Sequence, residues 1–522
     1  MSMNNFRVIL SLALLVVIGA SSSARKMPQL PLYREAEASS NIRSGNYSPV
    51  SLWYSFPDEL FEASVKGNFV RGDFHNVDES SRTDCLGVSV SGQKRFKSVI
   101  CSGGISYDNR KEFSRRWNST SMISDDNPFV LADSVSSDFS SDRFHVGGRV
   151  AVRPLEWMLV GLGADYTTES YANQTDPRPH NRSMRFVVTP GIDFLISRSV
   201  SAGIFAGADI LSESVSHTVV DTRENYTYFR FNGIGDYSPI TTIMSMTYPR
   251  DYKGVEYKGG VHFVWDSHSS FSNSLQVIYG NNSEKARDGG VAFTFLGGDY
   301  KRTSWQVSER FRYFAKGWSH NIGIDFLYKE VKGIWYEQTP FLDSDKNNQL
   351  SFKIQESSLK NKENACDLSL SYRLDRLAGD TPDFSFTAFG TLRHSSTLHY
   401  ELDGYYREYT LAGFGISASR HFHFGKNMIS ACLDAGYAMP LSSSQSVKEK
   451  LAVIYTNPQF EYMTARQCSG GVSLSYWRDI KGLWLGFFAE YDFGKYIGDN
   501  RYSSVLAGSC RHDCMFGVRI LL

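Results

Sequence analysis

The sequence has no surplus of either charge: 55 Lys and Arg face 55 Asp and Glu over 522 residues. A nucleic-acid binder carries a basic excess or a basic stripe, so that class of partner is excluded. Proline is sparse, at 15 residues, and past residue 24 no segment supplies 18 unbroken apolar residues. With a mean hydropathy of −0.31 this argues against a bundle of membrane helices. Catalytic signatures are missing too: there is no G-x-S-x-G elbow, H-E-x-x-H pair, Walker loop or C-x-x-C, so neither an enzyme nor a cofactor is expected. What is present is apolar and aromatic, 41% and 14% of residues, with 43 glycines. Such a chain folds.

Residues 8–20 (VILSLALLVVIGA) follow a polar start carrying Arg7 and end in Ser-Ser-Ser-Ala, with Ser22 and Ala24 at the −3 and −1 positions of a signal-peptidase site. Residues 1–24 read as a secretory signal. Their apolar run of 13 residues is short of the roughly 20 that a spanning helix needs. Removing Arg7 leaves 54 basic against 55 acidic residues, a mature net charge of −1. Without an apolar helix, an exported chain is soluble or crosses a membrane as a closed β-barrel, which also satisfies every backbone hydrogen bond.

Period-two alternation recurs along most of the chain. In residues 482–494, Leu483, Leu485, Phe487, Ala489, Tyr491 and Phe493 oppose Gly486, Glu490 and Asp492. In 320–330, Ile322, Ile324, Phe326 and Tyr328 oppose Gly323, Asp325 and Lys329; in 157–167, Met158, Val160, Leu162 and Tyr166 oppose Gly161, Gly163 and Asp165. Each stretch is long enough for a tilted barrel strand of about 9 to 11 residues. Short connections (near 96–98, 153–156, 197–200, 267–271, 316–319, 375–382, 422–426 and 478–482) alternate with long polar ones. The long set is 72–83, 109–142, 168–182, 216–255, 284–302, 332–363, 395–408, 440–465 and 494–505. That phase predicts an all-β fold: one antiparallel up-and-down transmembrane barrel of about 18 strands (roughly 16 to 20), with short periplasmic turns and long extracellular loops. GGVAFTFLGG (289–298) is a possible extra strand. A secreted sandwich also alternates, but nothing requires its connections to keep this phase. Tyr166, Tyr328, Tyr372, Tyr437, Tyr476 and Tyr491 at apolar strand ends suit an interfacial girdle.

Seven cysteines leave at least one unpaired. Folding each hairpin about its turn places Cys101 opposite residues near 93, Cys366 near 390, Cys432 near 416 and Cys468 near 492, so none meets another cysteine. Cys510 and Cys514, four apart on one strand, are about 13 Å apart, beyond disulfide reach. No metal site is expected: His421 and His423 read as a solvated turn, and the D-x-D-x-N spacing of Asp343, Asp345 and Asn347 lacks the glycine and final glutamate of a calcium loop.

The candidate site is the lumen. Gly163-Ala-Asp165, Gly191-Ile-Asp193, Gly207-Ala-Asp209 and Gly323-Ile-Asp325 repeat a glycine and a carboxylate on one face. Asp193 and Asp325 stand four to five residues from the nearest short turn, Asp165 and Asp209 eight to nine. Glu490 and Asp492 share the inward parity. Arg149, Arg185, Arg310, Arg312 and Arg373 supply the opposite sign. Such a lining tunes the selectivity of a pore or, if its charges pair, merely braces the wall.

The terminal strand MFGVRILL (515–522), with Phe516, Val518, Ile520 and Leu522 on one face, is similar to the insertion signal that the barrel-assembly machinery reads. With the signal, the Tyr/Phe-rich strands and SGNYSPVSLWYSF (44–56), the chain resembles the large uncharacterised outer-membrane β-barrel families of Bacteroidota. The resemblance implies an outer-membrane location, contact with outer-membrane lipid and residues 60–522 as the barrel. Residues 25–59 are then a periplasmic N-terminal segment able to enter the lumen, too short for the plug of a TonB-dependent receptor. Asn46-Tyr-Ser-Pro49 is faintly similar to the Asn-Pro-Ala stretch of long-chain fatty-acid transporters. The expected function is a passive channel or transporter for an unknown small solute. The alternatives are a transporter of hydrophobic compounds with a plugged lumen and a structural or surface-binding barrel that uses its long loops, of which 216–255 spans 40 residues.

Overall fold

The computed structural model describes residues 31, 42–43 and 46–522, apart from 222, 242–246, 268–269, 290–294, 347–348, 380, 500, 504–505 and 507. The signal region 1–24 and Asn347 of the D-x-D-x-N stretch lie outside the described residues.

Eighteen antiparallel strands close into one barrel. In chain order they are Glu59–Arg71, Arg82–Arg95, Val99–Arg115, Ser137–Leu155, Met158–Asn173, Pro179–Leu195, Val200–Thr218, Thr247–Asp266 and Phe271–Asp288. Then follow Phe295–Ala315, Trp318–Asp343, Gln349–Ala378, Thr381–His399, Tyr406–Phe424, Asn427–Ser446, Gln467–Ile480, Leu483–Tyr496 and Cys510–Leu521. Every strand pairs with its chain neighbours, and the last closes on the first, Phe69 standing opposite Cys514. The Leu522 backbone extends the seam by exchanging hydrogen bonds of 2.9 and 3.0 Å with Phe61. Closure removes both edges of the 18-stranded sheet, so the barrel wall itself offers no open edge to another chain.

Period two sets the facing. Along Val200–Thr218 burial alternates residue by residue: Ile204 and Ile210 are exposed on the outside, while Asp209, Glu213 and His217 are buried inside. Leu162, Leu370, Phe414, Leu433, Phe487 and Phe516 extend the exposed apolar face around the barrel.

Three details differ from the sequence reading. Trp318–Asp343 and Gln349–Ala378 run for 26 and 30 residues, so most of 332–363 is a projecting hairpin and not a loop. Its outer part carries polar residues at odd and even positions alike, including Lys353, Gln355, Glu356 and Ser358, which erases the alternation that marks a half-apolar strand. Residues 290–294 lie outside the described residues, and Phe295 to Gly298 open a counted strand instead of forming an extra one. HFHFG is the end of a strand, not a turn: His421 lies within Tyr406–Phe424 and its Nδ1 is 2.7 Å from Ser430 Oγ. Register also moves by up to four residues. Cys366, Cys432 and Cys468 face His394, Ser419 and Lys495. All seven cysteines are free.

The core lies inside the barrel. At the end with the long connections, residues 116–136, 219–221 and 223–241 fold back over the lumen, where Leu131–Asp133 pairs with Thr227–Gly233, itself paired with Asp236–Thr241. Met122, Ile123 and Phe129 from the first of these segments pack on the inward-facing Leu211, Val215, Tyr252, Tyr300 and Val331. A second cluster of Trp117, Phe231 and Leu451, with Tyr455 against it, ties in the segment around the helix Thr456–Met463. The short-turn end is packed on one side by Met428, Trp477, Trp484 and Leu521.

Candidate functional site

The repeated glycines of the candidate lining make room for the chain's own N-terminal segment. Ser48 caps a short 3-10 helix, Pro49–Tyr54, its side chain accepting from Val50 N–H at 3.4 Å, and Pro49 in the first turn presets the backbone. This turn lies on the inner wall. A Cβ on Gly161 would come within 2.8 Å of Val50 N, and one on Gly191 within 2.7 Å of Ser48 Oγ. Gly163 and Gly207 leave ordinary contact distances to Pro49 (3.7 Å) and Tyr47 (3.4 Å). Tyr47 also meets Phe205, with ring centroids 5.3 Å apart. Arg43 anchors the start: Nη1 donates to Ser201 Oγ at 2.9 Å, and its guanidinium stacks 3.8 Å above the Tyr54 ring. The fourth repeat is different, since Gly323 is crowded by Ser371 and Arg310 of the wall itself.

Two glutamates hold the long inward segment. Glu213 accepts from the backbone N–H groups of Ser121, Met122 and Ile123 at 2.7, 2.7 and 3.0 Å, and from the Asn181 amide at 2.5 Å. Glu284 accepts from Ser124 Oγ at 2.6 Å and Asn127 Nδ2 at 2.8 Å. Lys329 Nζ meets Asp126 at 2.7 Å. Charge-assisted bonds to backbone donors are among the stronger polar contacts, and here they fix a loop against a wall. Burial raises two loop carboxyls above the ordinary carboxylate range. Asp133 is pushed up to about 7, and Asp78, in the loop between the first two strands, to about 6.

Most of the charges singled out in the sequence pair within the wall. Arg185 grips Asp209 in a fork of 2.7 to 2.9 Å, and Arg310 grips Asp325 at 2.8 and 2.9 Å. Arg373 Nε donates to Asp375 at 2.7 Å, Arg312 stands 3.9 Å from Asp266, and Asp193 meets His262 Nε2 at 3.0 Å. Asp165 and Asp209, similar in height on neighbouring parts of the wall, therefore do not act alike. Asp209 is locked, whereas Asp165 is 40% exposed and, among the described residues, meets no cationic group nearer than His145 at 3.7 Å. Arg149 is exposed and lines a cavity of 920 Å³ between the N-terminal segment and the wall.

Glu490 and Asp492 belong to a larger acidic patch on the opposite wall. Asp434 is opposite Gly471, Gly471 opposite Asp492, and Asp492 opposite Asp513, one cross-strand row on inward-facing positions. A Cβ on Gly471 would collide with both the Asp434 and Asp492 carboxylates. Among the described residues none of Asp434, Glu490, Asp492 and Asp513 is ion-paired. Asp434 and Asp513 were not singled out from the sequence, although each has its strand's inward parity; the row emerges only once the register across four strands is known. Glu213 and Glu284 were missed for a related reason, since alternation shows that they face inward and not which loop reaches them.

No curated protein matches the sequence. Among solved structures, the RagAB peptide importer in its closed-closed state is similar at 6% identity and a TM-score of 0.43, over 90% of this chain and 87% of that one. The ferric yersiniabactin uptake receptor FyuA from Yersinia pestis gives 10% identity and a TM-score of 0.39 over 90% and 81%. The toluene transporter TodX from Pseudomonas putida gives 8% and 0.30 over 92% and 93%. Similarity this low carries nothing about substrate. A family profile covers residues 49–522, from the first residue of the lumenal 3-10 helix to the end of the barrel, and the chain belongs to that family, the family of unknown function DUF6850.

Proposed function

We propose that this chain is an exported outer-membrane barrel that passes small solutes through its lumen, with no catalysis and no cofactor. The apolar exterior and the closed ladder support the membrane setting. The observation that carries the reading is the division of the lumen. One wall is covered by the N-terminal segment and the inward loop, whereas the opposite wall presents exposed, unpaired carboxylates at Asp434 and Asp492. Unpaired carboxylates facing water favour a path over a brace, and they concentrate cations along it.

The test is conductance of the refolded mature protein in a planar bilayer. The expected result is a cation-preferring conductance whose reversal potential moves toward anions in Asp434→Asn/Asp492→Asn. A folded barrel that conducts in neither form overturns the channel and leaves a binding or structural barrel. A second reading has one observation in its favour: a segment seated in glycine-lined wall is how a lumen plug would be stored. A plugged transporter for hydrophobic compounds should co-purify with a lipid-like ligand.

A further inference from the structure

Of the five arginines that the sequence places in the lumen, four meet carboxylates of the wall: Arg185 with Asp209, Arg310 with Asp325, Arg312 with Asp266 and Arg373 with Asp375. Arg149 has no such partner among the described residues. It is exposed, and it opens into the cavity of 920 Å³ bounded on one side by the N-terminal segment. A guanidinium that faces water and meets no carboxylate among the described residues has its five donors available for a planar anion.

The counter-charge is close but not in contact. Arg149 stands opposite Gly163, and Asp165 opposite Gly147, on the same two strands. They are therefore diagonal neighbours on one face, about 7–8 Å apart at the backbone. Asp165 lines the same cavity and is 40% exposed. Between them the floor is bare. Gly147 lies on the inward face between His145 and Arg149, Gly163 faces inward on the next strand, and Gly104, opposite Gly147, faces inward on the preceding one. A side chain at Gly147 would run into the Asp165 carboxylate. Ser102 and Ser106 border the glycine floor with neutral hydrogen-bonding groups, and Leu52 of the N-terminal segment faces the cavity with an apolar one.

We propose that this cavity is a binding site for a small zwitterion, its carboxylate on Arg149 and its ammonium on Asp165, lying over the glycine floor. A solute with both charges would satisfy both residues at once, whereas a wall pair would have brought them together directly. The glycines keep the two charges apart and leave the intervening volume to the guest. The site deepens the solute-passing reading and rests on it, so the test reads equilibrium binding, which does not depend on whether the barrel conducts.

The probe is L-alanyl-L-alanine, titrated calorimetrically into the detergent-solubilised full mature protein and compared with its C-terminal amide and its N-acetyl derivative. The free dipeptide should bind saturably, and each derivative about tenfold more weakly or worse, because each loses one charge-assisted contact. Arg149→Gln should erase the preference for acid over amide and keep the preference for free over acetylated amine. Asp165→Asn should do the reverse. Cys101→Ser, on the outward face of the adjoining strand, should bind as the parent does. Absence of saturable dipeptide binding in the folded parent protein overturns the site, as does an acid preference undiminished in Arg149→Gln. Loss of binding in a protein that conducts removes the site alone, and binding without conductance removes the transport reading alone.

Discussion

Gly191 stands where a side chain cannot: a Cβ there would lie 2.7 Å from the Ser48 hydroxyl oxygen and 3.1 Å from Pro49 Cδ. Wall and segment are thus fitted to each other through a missing side chain. Gly161 is the sharper site, because its Cβ would meet backbone atoms, Val50 N at 2.8 Å and Pro49 C at 3.0 Å, which cannot rotate away. Gly161→Val should displace Pro49–Tyr54 while leaving the strand well disposed to a β-branched residue. Arg43, buried in the parent, should then become a trypsin site. Faster cleavage after Arg43 with an intact, heat-modifiable barrel is the expected result; unchanged cleavage would mean that the segment is not held by this wall.

The outside of the barrel offers a control built from adjacent residues. Ile324→Arg places a cation on the lipid face of the proposed membrane barrel and should cost about 2 to 4 kcal/mol near the bilayer midplane. Asp325→Asn removes one partner of a lumenal pair in which both side chains are about 40% exposed, so water and salt already weaken it, and the cost should stay below about 1 kcal/mol. Urea titration of folded barrels in vesicles would separate the two, and equal costs would refute the facing.

The barrel was legible in the sequence because one rule, alternation, repeats over most of its strands. Leu162 against Gly163 follows from parity alone, Leu162 standing exposed on the outside while Gly163 meets Pro49 of the lumenal segment. Pairing of charges was not legible. Arg185 and Asp209 are 24 residues apart and Arg310 and Asp325 15 apart, and each meeting depends on a hairpin register that turn boundaries uncertain by a few residues cannot fix. The errors of three to four residues for the partners of Cys366, Cys432 and Cys468 show the size of that uncertainty. The inward folding of 116–136 was hidden for another reason. Its contacts with Glu213 and Glu284 come largely through backbone N–H groups and serine hydroxyls, which leave no residue pattern to read.

Asp133 makes the inward loops sensitive to pH. It is 5% exposed, Val135 N–H donates to it at 2.9 Å, and His217 Nε2 lies 3.7 Å away. Burial raises its pKa to about 7 from the ordinary value of 3.8. The sign follows from linkage: below about pH 4 the carboxyl is protonated whether the loop is seated or free, and it costs nothing. Between about 4 and 7 the freed loop loses the proton while the seated one keeps it. Seating therefore weakens as pH rises through this window, by about tenfold per unit, and levels off above it. Asp78, raised to about 6, adds in the same direction. Hydrogen exchange of 131–133 and 227–233, corrected for intrinsic rates, should show more protection at pH 5 than at pH 8, and Asp133→Asn should flatten the difference.

Lumenal carboxylates should divide into two functional kinds according to their partners. Asp209 is buried and accepts three hydrogen bonds from Arg185, so Asp209→Asn leaves a guanidinium facing a neutral amide. That change should lower the unfolding midpoint and leave reversal potential nearly unaltered, because a charge already neutralised by its neighbour projects little field into the bore. Asp492 has no cation at contact distance among the described residues and is exposed to the lumen. Asp492→Asn should leave stability almost unchanged, or raise it by easing repulsion from Asp434 and Asp513, while shifting permeability toward anions. The shift should shrink between 0.1 M and 1 M salt, as the Debye length falls from about 10 Å to about 3 Å and a carboxylate stops acting across the bore. Measured side by side, the two variants form a crossed pair, one moving stability and the other selectivity. If both move the reversal potential equally, the pairing seen between Arg185 and Asp209 does not persist in the membrane, and the open path cannot be assigned to the acidic wall.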